Sequence, residues 1–154
     1  MKRIIGVLSD THGLLRPQIR EKLHPCELIV HAGDVGDQAV MDRLQSIGTV
    51  VAVKGNVDRG AWTDPLREWE LIQFHGKTIL LIHNIARLDW EPKSTNVDVV
   101  VYGHSHRAST HYTNGVLYLN PGSAGPRRFT LPVTMAYLRL IDGQITPEII
   151  TIEE

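Results

Sequence analysis

The stretch Val99-Val100-Val101-Tyr102-Gly103-His104-Ser105-His106 constrains this chain more than any other. An apolar, β-branched run halts at a glycine, and two imidazoles follow with one residue between them. That is the form of a buried strand delivering its chemistry at its carboxyl end. Four further runs repeat it. Ile4 to Ser9 leads into Asp10-Thr11-His12, and Leu28 to Ala32 into Gly33-Asp34. Val50 to Val53 leads into Lys54-Gly55-Asn56-Val57-Asp58, and Thr78 to Ile82 into His83-Asn84. Five strands are thus expected to release oxygen and nitrogen ligands into one place.

Between the first three runs the apolar spacing turns helical. Pro17 suits a first helical turn, where its missing N–H is not needed, and Leu15, Ile19 and Leu23 keep helical register up to His24-Pro25. Asp37 can cap a second helix carrying Val40, Met41, Leu44 and Ile47, closed by Gly48. Strand, helix, strand, helix, strand at this spacing predicts parallel strands with ligand sites beyond their carboxyl ends. Gly60 to Pro65 reads as an exposed loop. Trp69 to Phe74 alternates, and His75-Gly76-Lys77 turns it back into the Thr78 run. Between His83 and Val97 the pattern is weak, with one helical turn expected around Ala86 to Trp90 and ended by Pro92. A run from Gly115 to Leu119 precedes the turn Asn120-Pro121-Gly122-Ser123. Two final strands, Val133 to Ile141 and Gln144 to Ile152, flank Asp142-Gly143. Parallel strands at the front and hairpins at the back suggest an α/β fold of two sheets stacked face to face with helices outside. With no repeat or linker, residues 1–154 are expected to form one domain.

Composition narrows the partners. A net charge of -1 offers no polyanion-binding face, so bulk nucleic acid is not expected, while a small phosphate-bearing substrate is compatible. Cys26 is the only cysteine, which rules out an intrachain disulfide or a thiolate cluster and suits a reducing cytoplasm. Met1-Lys2-Arg3 resembles the start of a signal peptide, but Ser9-Asp10 interrupts the apolar stretch behind it, so an unprocessed chain is expected. No run approaches the roughly 20 apolar residues of a membrane span.

Asp10, His12, Asp34, Asn56, His83, His104 and His106 make seven candidate metal ligands. A single tetrahedral ion needs about four. Seven suit two ions sharing one carboxylate at a separation of about 3.5–4 Å. Two divalent cations would exceed the charge of two carboxylates, attract an anion and lower the pKa of a bound water, and phosphate esters are the natural substrates. With nitrogen and oxygen ligands and no sulfur, ligand softness does not choose among manganese, iron and zinc. Singly, these residues have plainer readings: Asp10 and Asp34 can cap turns, and Asn56 after Gly55 can simply make one. His24, His31, His75 and His111 are read as satisfied polar residues, and Trp62, Trp69 and Trp90 as core or subunit-interface residues.

Taken in order, Asp10-x-His12, Gly33-Asp34, Gly55-Asn56-x-Asp58, His83 and Gly103-His104-x-His106 resemble the motifs of the calcineurin-like metallophosphoesterase superfamily. The short length and Asn120-Pro121-Gly122-Ser123 make the chain similar to the small bacterial and archaeal phosphodiesterase branch. The resemblance implies a four-layer α/β/β/α sandwich of two stacked sheets flanked by helices. It also implies that Asp10, His12, Asp34 and His106 hold one metal and Asp34, Asn56, His83 and His104 the other. Manganese is the expected ion, with iron, nickel or zinc as alternatives. The activity implied is phosphodiester hydrolysis by a metal-bound hydroxide, with Asn56 and His104 as the catalytic residues that place the phosphate. Arg59, Arg127 and Arg128 are candidate substrate contacts, the last two read equally well as facing water, and Asp37 and Asp58 candidate supports behind the ligands. Many small enzymes of this type look dimeric, so a homo-oligomer is expected. The family's histidine is replaced by Val57, which cannot transfer a proton; esters with good leaving groups should therefore be preferred. Asn84 also stands where a glycine often follows the family's histidine. The competing class is a protein-binding scaffold of the same fold, which the seven filled ligand positions disfavour. A metallo-β-lactamase-like reading of His104-x-His106 fails because Arg107-Ala108-Ser109 follows.

Overall fold

The computed structural model describes residues 2–128 and 130–153. Its elements are β1 (Lys2–Leu8), α1 (Pro17–Leu23), β2 (Leu28–His31), α2 (Gln38–Ile47), β3 (Val50–Ala52), β4 (Trp69–Phe74), β5 (Lys77–Ile82), β6 (Val99–Val101), β7 (Ser109–Thr113), β8 (Val116–Asn120), β9 (Thr134–Ile141) and β10 (Gln144–Thr151). Two five-stranded sheets result, in the orders β10-β9-β1-β2-β3 and β4-β5-β6-β8-β7. β1, β2 and β3 run parallel, as do β5, β6 and β8, while β4, β7, β9 and β10 pair antiparallel. The carboxyl ends of both parallel sets therefore face one rim.

The alternation of side chains explains the layers. Ile5, Val7 and Val30 of the first sheet meet Ile79, Leu81, Val99 and Val101 of the second in the central core. The opposite face of the first sheet, with Leu8, Ile29 and Met135, takes Ile19 and Leu23 of α1 and Val40 and Leu44 of α2. Asp37 caps α2 as expected, accepting the Val40 N–H at 3.0 Å.

Three features differ from the expected pattern. The outer face of the second sheet, Leu80, Ile82, Val100 and Val116, is covered by Val97, Ile85, Leu88 and Trp90, not by an α-helix. The segment that covers it contains only the 3₁₀ turns Ile85–Arg87 and Pro92–Thr95. Among the described residues the sandwich thus has α-helices on one side only. Pro92 opens its turn instead of ending one, because a first-turn residue needs no N–H. The loop after Gly60 likewise holds a 3₁₀ turn, Ala61–Thr63, with Thr63 buried. Strand β7 has no apolar alternation, since all five of its residues are exposed. Its only sequence signal is Asn114-Gly115, both at positive φ (52° and 80°), which is hairpin chemistry.

Candidate metal centre

β1, β2, β3, β5 and β6 each end one to four residues before a candidate ligand, so backbone pairing alone carries them to one rim. Asp10, His12 and His106 present ligand atoms all within 4.8 Å of one another, and so do Asp10, Asp34 and His83. His106 Nε2 lies 3.5 Å from Asp10 Oδ1. Asp34 Oδ2 stands 3.6 Å from His12 Nε2 and 3.3 Å from His83 Nε2, touching both groups. Asp10, His12, Asp34, His104 and His106 all adopt left-handed φ between 47° and 75°. Such backbone is costly for these residue types and persists where the surroundings enforce it, commonly at functional sites.

The enforcement can be read bond by bond. His31 is fully buried; its Nδ1 accepts the Gly33 N–H at 3.0 Å and its Nε2 meets Thr11 Oγ1 at 2.9 Å. Nε2 must then carry the proton, and the Thr11 hydroxyl donates onward to the Val35 carbonyl at 2.8 Å. One neutral imidazole ties the loop after β1 to the loop after β2. The buried Asp58 carboxylate performs the same service one strand further, accepting N–H groups of Val35, Gly36 and Gly55 at 3.2, 2.9 and 2.9 Å. On the other side, Asn120 Nδ2 donates to the Gly103 carbonyl at 3.2 Å, and Ser123 Oγ to the Asp10 carbonyl at 3.2 Å. Gly33 is obligatory here, since a Cβ on it would lie 2.7 Å from His83 Nδ1.

The ligand atoms themselves are left free. Ser9 Oγ donates to Asp10 Oδ2 at 2.7 Å and the His104 N–H to the same oxygen at 3.3 Å, leaving Oδ1 buried without a partner. His83 Nδ1 donates to the Ala32 carbonyl at 2.8 Å, which turns the lone pair of Nε2 inward. Asp10 Oδ1, His12 Nε2 and His83 Nε2 are buried without a hydrogen-bond partner among the described residues, as is Nδ1 of His106, the ring whose Nε2 faces Asp10 Oδ1 at 3.5 Å. Orphaned polar atoms at this density are expensive, and a divalent cation would satisfy them. The residues present fit such an ion.

Electrostatics point the same way. Burial pushes the Asp10 carboxyl up, an effect only partly offset by the Ser9 hydroxyl. Burial acts upward on Asp34 too, but the neighbouring His83 and the hydrogen bond from the Val57 N–H outweigh it and hold that carboxylate below the usual range. His83 is raised because, despite burial, Asp34 and Asp10 favour its charged form. Burial lowers His12 and His106, and the positive charge of Arg128 adds to both effects.

The other sequence candidates fall around this cluster. His104 is exposed at the rim, its ring 5.4 Å from that of His83, and Asn56 lines a cavity together with His83 and Arg59. Of the two adjacent arginine candidates, both exposed on the loop after Ser123, Arg128 is the one whose charge acts on His12 and His106. Asp37 is exposed and its carboxylate caps α2. Of the four histidines read as buried polar residues, His31 alone is buried. His24 is exposed, His75 pairs with Glu27 at 2.8 Å on the surface, and His111 stacks on Tyr118. Ser9, Thr11, His31 and Asn120 were not among the candidates because their contacts join residues far apart in the chain. Only the adjacency of Ser9 to Asp10 was visible beforehand.

Fold and cluster together define a class, an α/β protein of two packed sheets with a metal-ligand pocket at the strand ends. Residues 3–143 match the family model described as the calcineurin-like phosphoesterase superfamily domain, and the chain belongs to that superfamily. A probable metallophosphoesterase of Methanocaldococcus jannaschii is 31% identical over 98% of this chain and 82% of its own length. A phosphodiesterase of the same organism is 28% identical, over 77% of this chain and 82% of its own. Among solved structures, one described as a novel archaeal phosphodiesterase superposes with a TM-score of 0.82 at 24% identity, covering 99% of this chain and 100% of that one. Vps29 of Entamoeba histolytica, solved in complex with zinc, superposes with a TM-score of 0.72 at 23% identity over 96% and 98% of the two chains.

Proposed function

We propose that this metallophosphoesterase hydrolyses phosphodiesters at a centre of two divalent cations. The observation that carries the reading is the set of buried, partnerless atoms Asp10 Oδ1, His12 Nε2 and His83 Nε2, with His106 Nε2 3.5 Å from Asp10 Oδ1, around the two carboxylates. Asp10, His12, Asp34 and His106 would hold one ion and Asp34, Asn56, His83 and His104 the other, with manganese as the expected metal. Bound there, such ions supply Lewis acidity toward phosphoryl oxygens and make water acidic enough to yield a nucleophile near neutrality. The chain does the rest. Asp34, held ionised by the Val57 N–H at 2.9 Å and by His83, keeps the ligand set anionic. Asn56, His104 and Arg59 line the approach for the non-bridging phosphate oxygens. Val57 is 47% exposed and has no proton to give, so the departing oxygen must leave as an anion, which favours good leaving groups. Diester cleavage is supported by the relatives named phosphodiesterase. The single cysteine supports a cytoplasmic setting; burial pushes its thiol up to about 11, far from a reactive thiolate.

Metal-stripped protein reloaded with manganese, nickel, zinc or magnesium should bind two ions per chain and cleave bis(p-nitrophenyl) phosphate faster than p-nitrophenyl phosphate. Asp34→Asn should abolish turnover with the fold intact by circular dichroism. A stoichiometry of one ion, or a monoester preference, would refute the respective part. No turnover with any metal would favour the scaffold reading.

A further inference from the structure

Beside the cluster lies a cavity of about 550 Å³, lined in part by Asn56 and by His83 of the cluster. It is far larger than a phosphoryl group requires and falls in the range that takes a drug-sized ligand. Its lining is specialised. Trp69 forms one side, 43% exposed, with its ring braced edge-on by Trp90 at 5.9 Å between centroids. Lys54, Arg59 and Arg87 also line it, and among the described residues none of them forms an ion pair. Glu68 and Asp89 line it too and offer carboxylate acceptors.

A flat, fixed aromatic face, cations without internal partners and a pair of acceptors match three parts of one molecule. Bases stack on indole, anions seek guanidinium and ammonium groups, and sugar hydroxyls or exocyclic amines donate to carboxylates. We infer that this cavity is a nucleoside subsite, and that the substrate is a phosphodiester in which one ester arm is a nucleotide. The base lies on Trp69, while Arg87 and Lys54 take the charge of a further phosphate on that arm. This rests on the phosphodiesterase reading and adds the class of substrate. An alkyl or simple aryl ester leaves the cavity unused. The exposed indole is thereby read as part of the site and not as core or a subunit contact.

The test uses the manganese-loaded full chain and two substrates, the 5′-phosphorylated dinucleotide pApA and methyl p-nitrophenyl phosphate. Trp69→Ala and Arg87→Ala should each raise KM for pApA by about tenfold with little change in kcat, the size expected for one stacked base. Both variants should cleave methyl p-nitrophenyl phosphate like the wild type. Independently of turnover, adenosine 5′-monophosphate should quench tryptophan emission of the zinc-loaded protein, and Trp69→Leu should remove that quenching. Unchanged KM for pApA in both variants, with diester cleavage intact, overturns the subsite and leaves the phosphodiesterase reading standing. If neither substrate is cleaved by the wild type, the phosphodiesterase reading fails and quenching alone decides the subsite, its absence overturning it. A Trp69→Ala variant whose sedimentation mass falls while its KM holds would reassign the ring to a subunit contact and overturn the inference too.

Discussion

Replacing His31 with leucine should weaken the protein at neutral pH and do so progressively less as the pH falls. The imidazole is fully buried, accepts the Gly33 N–H and donates to Thr11 Oγ1. Leucine leaves the Gly33 N–H buried without an acceptor, which costs about 1–3 kcal/mol, and forfeits the Thr11 bond for about 1 more. Thr11 keeps its own acceptor on Val35, so no second orphan arises. The sum, about 2–4 kcal/mol, corresponds to a fall in Tm of roughly 5–15 °C for a domain of this size. Burial, the largest influence, pushes the His31 pKa down to about 4, against the raising effect of Asp58. The unfolded chain therefore binds the proton at higher pH than the folded one. Stability contributed by the neutral imidazole is complete above about pH 6.5 and is lost as the pH falls toward 4, roughly 2 kcal/mol of it by pH 5. Urea denaturation of metal-stripped wild type and His31→Leu, at pH 7.5 and pH 5, isolates this because every other carboxylate and histidine is common to both. The stability gap should shrink by about that amount. A gap that stays constant, or widens, would show that His31 is not held neutral between the two loops.

Other outcomes follow from the same geometry. Asp58→Ala removes the acceptor of three backbone N–H groups and should cost at least about 3 kcal/mol in urea denaturation, with Asp58→Asn intermediate. A loss below about 1 kcal/mol would contradict the bonding described. Asp37→Ala should cost about 1 kcal/mol, the worth of a helix cap, and leave turnover unchanged; a large fall in kcat would assign Asp37 to the chemistry instead. Val57→His places an imidazole where the side chain is already exposed and should raise the rate for alkyl esters by on the order of 100-fold, and much less for nitrophenyl esters. Equal gains on both would refute proton donation as the missing element.

Much of the site was legible because strand chemistry is local. A parallel strand must run apolar until it leaves the sheet, so Val99 to Val101 and its four counterparts announce both the strand and the place where polar residues begin. Since parallel strands share one direction, the residues after each run collect on one rim, and the order Asp10, His12, Asp34, His83, His106 was enough to expect their meeting. Capping by Asp37 is local for the same reason. β7 escaped that logic, because a wholly exposed edge strand has no buried face to impose periodicity. So did the covering of the second sheet, where short 3₁₀ turns replace the expected helical layer.

Only the tertiary structure decided which atoms are spent and which are spare. The sequence by itself established an α/β chain with acids and imidazoles at five strand ends, since the apolar runs and their polar terminations lie within a few residues of one another. Nothing local states that His31 spans two loops, that Asp58 gathers three backbone N–H groups, or that Trp69 and Arg87 share a cavity with Asn56. Those contacts join residues up to dozens of positions apart. Their existence depends on strand order, which is fixed by the packing of all the runs together and by no one of them.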